Sequence, residues 1–135
     1  MTQTTGVVLD ASALLAVFRE EPGHERVVDR IAHGAIVSSL NWAEVLARLI
    51  DLGGEPQAIA ARALPQTESG TVEVIPFGDR DARESARLRQ RTRSLGLSLA
   101  DRAALALALS RGLPVLTADR AWKSLRLPIK IEVIR

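Results

Sequence analysis

Apolar residues along the chain fall into short runs that alternate with stretches of helical spacing. Gly6-Val7-Val8-Leu9 is a short apolar run ending in Asp10, the signature of a buried strand. From Ala11 to Arg19 the period becomes helical, with Leu14, Leu15 and Phe18 on one side, until Glu21-Pro22-Gly23 interrupts it. A second helix is predicted over His24 to Ala32, and a second strand over Ala35-Ile36-Val37-Ser38. Asn41 to Leu52 is predicted helical, with Trp42, Val45, Leu46, Leu49 and Ile50 buried and Gly53-Gly54 as its stop. A further helix is expected from Glu55 to Leu64, ended by Pro65. Val72 to Phe77 reads as a strand, Asp79 to Ser94 as an Arg-rich helix, and Ser98 to Ser110 as an Ala/Leu-rich helix closed by Gly112. Pro114 to Thr117, a short helix from Ala121 to Leu125, and a strand from Ile129 to Ile134 complete the pattern.

Strands that alternate with helices or helix pairs predict an α/β fold. Its centre is a mostly parallel sheet of about five strands, flanked by helices and joined by right-handed crossovers. No repeat, low-complexity tract or linker divides the sequence, so residues 1–135 are expected to form one domain.

Composition narrows the chemistry. The 135 residues are 47% hydrophobic and 25% charged, which is the balance of a globular protein. Cysteine is absent, which excludes disulfides, thiolate nucleophiles and Cys-based zinc sites, and the two histidines, His24 and His33, are too few for an all-His metal centre. His24 and His33 read as surface helix residues. No apolar run approaches the roughly 20 residues that span a bilayer, and Met1-Thr2-Gln3-Thr4-Thr5 lacks a basic leader region, so the cytoplasm is the expected compartment. Net charge is +2 and the sequence pI about 9.9, a mild bias toward polyanionic partners. Aromatic residues make up only 3%, which argues against a base-stacking platform, and Trp42 and Trp122 read as packing residues.

Ligands of parallel α/β sheets bind beyond the C-terminal ends of the strands, and four acids converge there if the helix starting at Ser98 begins at that same sheet edge. Asp10 ends the first strand, Asp119 follows Val115-Leu116-Thr117, and Glu44 and Asp101 lie in the first turns of their helices. Each has an ordinary structural use. Asn41-x-x-Glu44 and Ser98-x-x-Asp101 have capping-box spacing, and Asp10 and Asp119 suit N-caps. Capping and ligation are compatible, because a first-turn carboxylate can face a cleft along the helix axis. An all-oxygen donor set suits Mg²⁺ or Mn²⁺ rather than zinc. Two carboxylates about 4 Å apart repel by roughly 4 kcal/mol at an effective dielectric of about 20, so such a group makes physical sense with a cation or a basic partner in place.

At these positions the sequence resembles the PIN-domain ribonucleases, in particular the VapC-type toxins of bacterial toxin–antitoxin pairs. Val7-Val8-Leu9-Asp10-Ala11-Ser12-Ala13-Leu14 is similar to the family's opening motif, and Ser39-Leu40-Asn41-Trp42-Ala43-Glu44-Val45 to the second. Gly96-Leu97-Ser98-Leu99-Ala100-Asp101-Arg102-Ala103 resembles the third, and Leu116-Thr117-Ala118-Asp119-Arg120-Ala121-Trp122 the fourth. The resemblance implies an Mg²⁺- or Mn²⁺-dependent endoribonuclease with Asp10, Glu44, Asp101 and Asp119 as its acidic quartet and Ser12 and Thr117 as supporting hydroxyls. In that reading Asp10 and Asp101 hold the principal ion, Asp119 completes its surroundings, and Glu44 binds a second ion or orients water. It also implies a cognate VapB-type antitoxin and a homodimer.

Arg80, Arg83, Arg87, Arg89, Arg91 and Arg93 span more than one face of their predicted helix, as a solvated surface or an electrostatic guide for RNA. Arg102 and Arg120, beside two of the acids, and Arg87 are candidate phosphate contacts, with structured RNA such as tRNA or rRNA as the expected substrate. Leu14, Leu15, Phe18, Leu46, Leu49 and Ile50 exceed the needs of a thin core and are candidates for a groove that takes a partner helix. Two alternatives are a non-catalytic module of the same fold and another acidic-pocket domain. A phosphatase of the haloacid-dehalogenase type needs Asp-x-Asp where this chain has Asp10-Ala11-Ser12. A receiver needs an acidic pair there and a lysine after the last strand, where this chain ends at Arg135.

Overall fold

The computed structural model describes residues 6–55 and 72–135. The helix expected from Glu55 to Leu64 falls, apart from Glu55, outside them, as do Pro65 and Met1–Thr5. The elements in chain order are β1 (Val7–Leu9), α1 (Ala11–Arg19), α2 (His24–Ile31), β2 (Ala35–Ser38), α3 (Ser39–Asp51), β3 (Val72–Ile75), α4 (Asp79–Arg91), α5 (Leu99–Arg111), β4 (Val115–Thr117) and β5 (Ile131–Val133). Single 3-10 turns cover Arg93–Leu95 and Arg120–Ser124.

The described strands form one five-stranded sheet in the order β3-β2-β1-β4-β5, and every pairing is parallel. The chain winds outward from β1 to β3, then crosses back to β4 on the other side of β1. The carboxyl ends of β1 and β4 are therefore the switch point at which such sheets hold ligands.

Alternation along the short strands supplies two cores. Val7 and Leu9 face α1 and α2 together with Ala35, Val37, Leu116 and Ile134. Val8, Ile36, Ile75, Val115 and Ile131 face the other way, onto α4 and α5. Helix α5 is buried all round through its middle, from Ala103 to Ala108, because it lies between the sheet and both α3 and α4. Its run of alanines allows that close approach on several sides, whereas an amphipathic helix would present only one apolar stripe. Trp122 is fully buried in the same core, as a packing residue.

Element ends depart from the sequence expectations where caps decide them. Helix α3 starts at Ser39 because Ser38 is its N-cap, accepting from Leu40 N at 3.3 Å. Helix α4 ends at Arg91, and Thr92, whose Oγ1 donates to Leu88 O at 2.7 Å, turns the chain into the 3-10 segment. The predicted last helix is a 3-10 turn, and Pro76 follows the end of β3.

The far end of β5 is locked to the loop before α2. Gly23 has φ +92°, and a Cβ there would lie 2.4 Å from the carbonyl oxygen of Ile134. Gly34 has φ +100° but open space around the same position. Gly34→Ala is therefore expected to cost about 1–2 kcal/mol, the left-handed backbone penalty alone. Gly23→Ala adds a backbone collision and is expected to cost clearly more. Urea denaturation of both variants measures the difference, and equal losses would refute the packing account.

Candidate active site at the sheet switch point

Asp10 sits at the joint between β1 and α1 and is 3% exposed. Its Oδ1 accepts from Ala13 N at 2.8 Å, the N-cap bond of α1, and from Ser12 Oγ at 2.7 Å. Its Oδ2 accepts from Thr117 Oγ1 at 2.5 Å, across to the end of β4. The register that pairs Leu9 with Leu116 makes this reach possible. Ser12 Oγ in turn accepts from Ala118 N at 2.8 Å, and Thr117 Oγ1 from Asp119 N at 3.1 Å. Two hydroxyls thus tie the first acid to the loop that carries the fourth. Asp119 caps the following 3-10 turn through Oδ1, which accepts from Ala121 N at 3.0 Å.

Glu44 and Asp101 come from two helices that pack against each other, α3 and α5. Asp101 and Ser98 form a reciprocal capping box at the start of α5, both bonds at 3.1 Å. Asn41-x-x-Glu44, by contrast, is not a capping box. The cap of α3 belongs to Ser38, and Asn41 is buried on the same face as Val45. Its Nδ2 donates to Ala100 O at 2.9 Å, so it pins the first turn of α3 to the residue before Asp101. Buried Asn41 Oδ1 has no hydrogen-bond partner. Asn41 is the site residue that the sequence reading missed. The signal for it was an amide at a core phase of an apolar helix, which calls for a specific partner.

The electrostatics link these halves. Burial pushes the Asp10 carboxyl up to about 6 from an ordinary 3.8, the hydrogen bonds from Thr117, Ala13 and Ser12 pull it down, and the charge of Asp101 adds to the rise. Glu44 is also raised, first by desolvation, then by Asp101, with Arg48 opposing. Asp101 therefore acts on both neighbours. None of the ion pairs among the described residues involves Asp10, Glu44, Asp101 or Asp119.

The adjacent arginines turn to other partners. Arg102 Nη1 donates to Ser85 O at 3.0 Å on α4, and Arg120 Nε to Arg135 O at 3.1 Å. Arg87 pairs with Glu84 at 2.5 Å on the surface.

Donor chemistry fits a hard divalent cation. The available groups are oxygens only, and Asp10 Oδ2 keeps a lone pair beyond the bond from Thr117. Asp101 Oδ1, Asp119 Oδ2 and both oxygens of Glu44 make no hydrogen bond among the described residues. No three acidic side chains among those residues converge closely enough to enclose an ion by themselves. That arrangement suits one or two direct carboxylates with the other positions filled by water, as Mg²⁺ prefers.

A PIN domain family model matches residues 7–127. No curated protein matches the chain. Among solved structures, VapBC2 from Rickettsia felis, bound to a DNA fragment from its promoter, aligns at 14% identity with a TM-score of 0.70 over 96% of this chain and 98% of that one. VapC20 from Mycobacterium tuberculosis, a Sarcin-Ricin loop cleaving toxin, aligns at 16% identity and 0.67 over 88% and 94%. VapBC-5 from the same organism, a member of the VapBC family of toxin–antitoxin systems, aligns at 29% identity and 0.56 over 98% and 99%. The first two likenesses carry the fold alone. The family match removes the phosphatase and receiver alternatives.

Asp10 also predicts a pH signature. With its folded pKa near 6 and its unfolded value near 3.8, the folded state binds the extra proton between those values. Stability from this group is present below about pH 4 and is lost as pH rises through 6. Above that, the buried charge costs up to about 3 kcal/mol. In chelator, Asp10→Asn is expected to be more stable than the wild type at pH 8 by about 1–3 kcal/mol, with the gain fading toward pH 4. Urea midpoints at the two pH values measure it, and a gain independent of pH would contradict the assignment.

Proposed function

Because the chain belongs to the PIN domain family, we propose that it is a divalent-metal-dependent endoribonuclease, the toxin of a toxin–antitoxin pair acting in the cytoplasm. The observation that carries this reading is the buried Asp10, wired through Ser12 and Thr117 to the Asp119 loop, with the charge of Asp101 bearing on both Asp10 and Glu44. Asp10 and Asp101 would hold the principal Mg²⁺ or Mn²⁺, with Asp119 completing its surroundings. When bound, such an ion acidifies water and offsets negative charge on a phosphodiester during in-line displacement.

The protein's own contribution is orientation and proton handling. Thr117 and Ser12 both donate to Asp10, which holds its carboxylate in one rotamer, and Asn41 fixes α3 against α5 so that Glu44 and Asp101 keep their separation. Glu44, raised from its ordinary value by desolvation and by Asp101 with Arg48 opposing, is suited to take the proton of the attacking water. As the water oxygen bonds phosphorus, the P–O bond to the leaving oxygen breaks, that oxygen takes a proton from solvent, and Glu44 returns its own proton to solvent. No protein nucleophile is required, in keeping with the absence of cysteine.

Substrate and partners follow in the same reading. RNA, with structured species such as tRNA or rRNA foremost, approaches through its backbone, with Arg102, Arg120 and Arg87 as phosphate contacts. A VapB-type antitoxin lays an apolar helix along α1 and α3, where Leu15, Phe18 and Leu49 are only partly covered and Ile50 is 42% exposed. Two toxin chains form a homodimer.

Purified protein incubated with mixed RNA and Mn²⁺ is expected to cut it, and chelator to stop the cleavage. Asp10→Asn is expected to remove activity while the protein stays folded by circular dichroism. Thr117→Val, which deletes only the orienting hydroxyl, is expected to lose about 10–100-fold. Cleavage by Asp10→Asn at the wild-type rate would overturn the site.

A further inference from the structure

Charge along α4 is uneven. Its first half is neutralised internally: Arg83 pairs with Asp79 at 2.9 Å and Arg87 with Glu84 at 2.5 Å. After Glu84 the sequence has no acid until Asp101, while Arg89, Arg91 and Arg93 follow in that interval. None of these three has an ion-pair partner among the described residues. Arg91 is occupied otherwise, with Nη2 3.5 Å from the carbonyl oxygen of Arg126.

Arg89 and Arg93 share a cavity of about 370 Å³, which Thr92, Gly96 and Leu97 complete. A Cβ built on Gly96 would meet nothing within 4 Å, so this wall leaves the mouth open. Thr92 is buried and its hydroxyl is spent on Leu88 O, so the arginines are the cavity's charged groups. The helix dipole accounts for basic residues in the last turn of α4. It does not account for Arg93, which lies past the helix end at Arg91 and lines the same space. The cavity wall at Gly96–Leu97 leads directly into Ser98, the cap bonded to Asp101.

We propose that Arg89 and Arg93 form a phosphate-binding pocket that grips the RNA backbone beside the cut, on the α5 side of the acids. It rests on the ribonuclease reading for its ligand. Guanidinium forks match phosphate oxygens in geometry as well as charge, and neither of these two has a carboxylate partner among the described residues. The pocket sets where the strand lies relative to Asp101 and takes no part in the chemistry.

The test measures binding of labelled bulk tRNA in chelator, by full-length Asp10→Asn protein, as a function of salt. Arg89→Gln with Arg93→Gln is expected to weaken binding roughly tenfold and to flatten the slope of log affinity against log salt by about 1. Arg80→Gln with Arg83→Gln removes the same net charge about 9–13 Å away along the helix axis. That pair is expected to leave the slope within error, and Arg89→Lys with Arg93→Lys to recover part of the affinity. Unchanged binding by the first pair, or an equal loss in both glutamine pairs, would overturn the pocket while leaving the ribonuclease reading standing. A wild-type protein that binds this RNA through the pocket but cuts none with Mn²⁺ would overturn only the ribonuclease reading. If no RNA is bound at all, both fall.

Discussion

A carboxylate held at 3% exposure by three hydrogen bonds is the constraint around which this molecule is arranged. Three donors aimed at one carboxylate ordinarily favour its ionised form, yet desolvation outweighs them and leaves Asp10 harder to ionise than in water. The cost is fixed by position. Asp10 ends a strand whose residues Val7, Val8 and Leu9 are all 0% exposed, so it cannot retreat to solvent without dragging the centre of the sheet with it. Its partner Thr117 is equally buried and ends the neighbouring strand. The register of β1 on β4 therefore fixes the site, and the site's main hydrogen bonds in turn cross that pairing.

The four acids divide into two separately anchored halves. Asp10 and Asp119 belong to strand ends joined through Ser12 and Thr117. Asp101 lies in the first turn of α5, and Glu44, expected in a first turn, lies one turn further into α3 because that helix begins at Ser39; the amide of Asn41 joins the two helices. Between the halves the link is electrostatic, through Asp101, and like charges push apart. Anchoring each half to its own backbone keeps that repulsion from opening the site, because the hydrogen bonds that resist it are directional and buried.

Much of this was legible in the sequence because two periods alternate so cleanly. Three-residue strands such as Val7–Leu9 and Val115–Thr117 stand out as apolar runs ending in a polar residue, and the change to helical spacing marks the crossovers. The acids were legible as residues that follow strands. Asn41 was not, because its spacing to Glu44 imitates a cap, and only the packing of α3 on α5 shows that its side chain leaves its own helix. The end of α4 was hidden for a related reason. Local propensity continues through Arg93, but the hydroxyl of Thr92 folds back on Leu88 O and the path to the capped start of α5 requires a tighter turn. Directions of side chains across the sheet edge, such as Ser12 toward Ala118, depend on register and not on any local pattern.

The arginines beside the acids form no ion pair with them among the described residues. Arg102 is next to Asp101 in sequence and Arg120 next to Asp119, and either neighbour would be a short ion pair if the backbone turned it that way. On α5 adjacent residues point about 100° apart, and Arg102 runs instead to the carbonyl of Ser85 on α4. Arg120 runs to the carbonyl of Arg135 beyond β5. Each guanidinium thus bonds a backbone oxygen rather than the neighbouring acid, although the buried Arg102 Nε has no partner among the described residues, and the charge that opposes the rise at Glu44 is that of Arg48. The acids and the arginines beside them therefore do not neutralise each other in pairs, because each arginine is drawn to a different element.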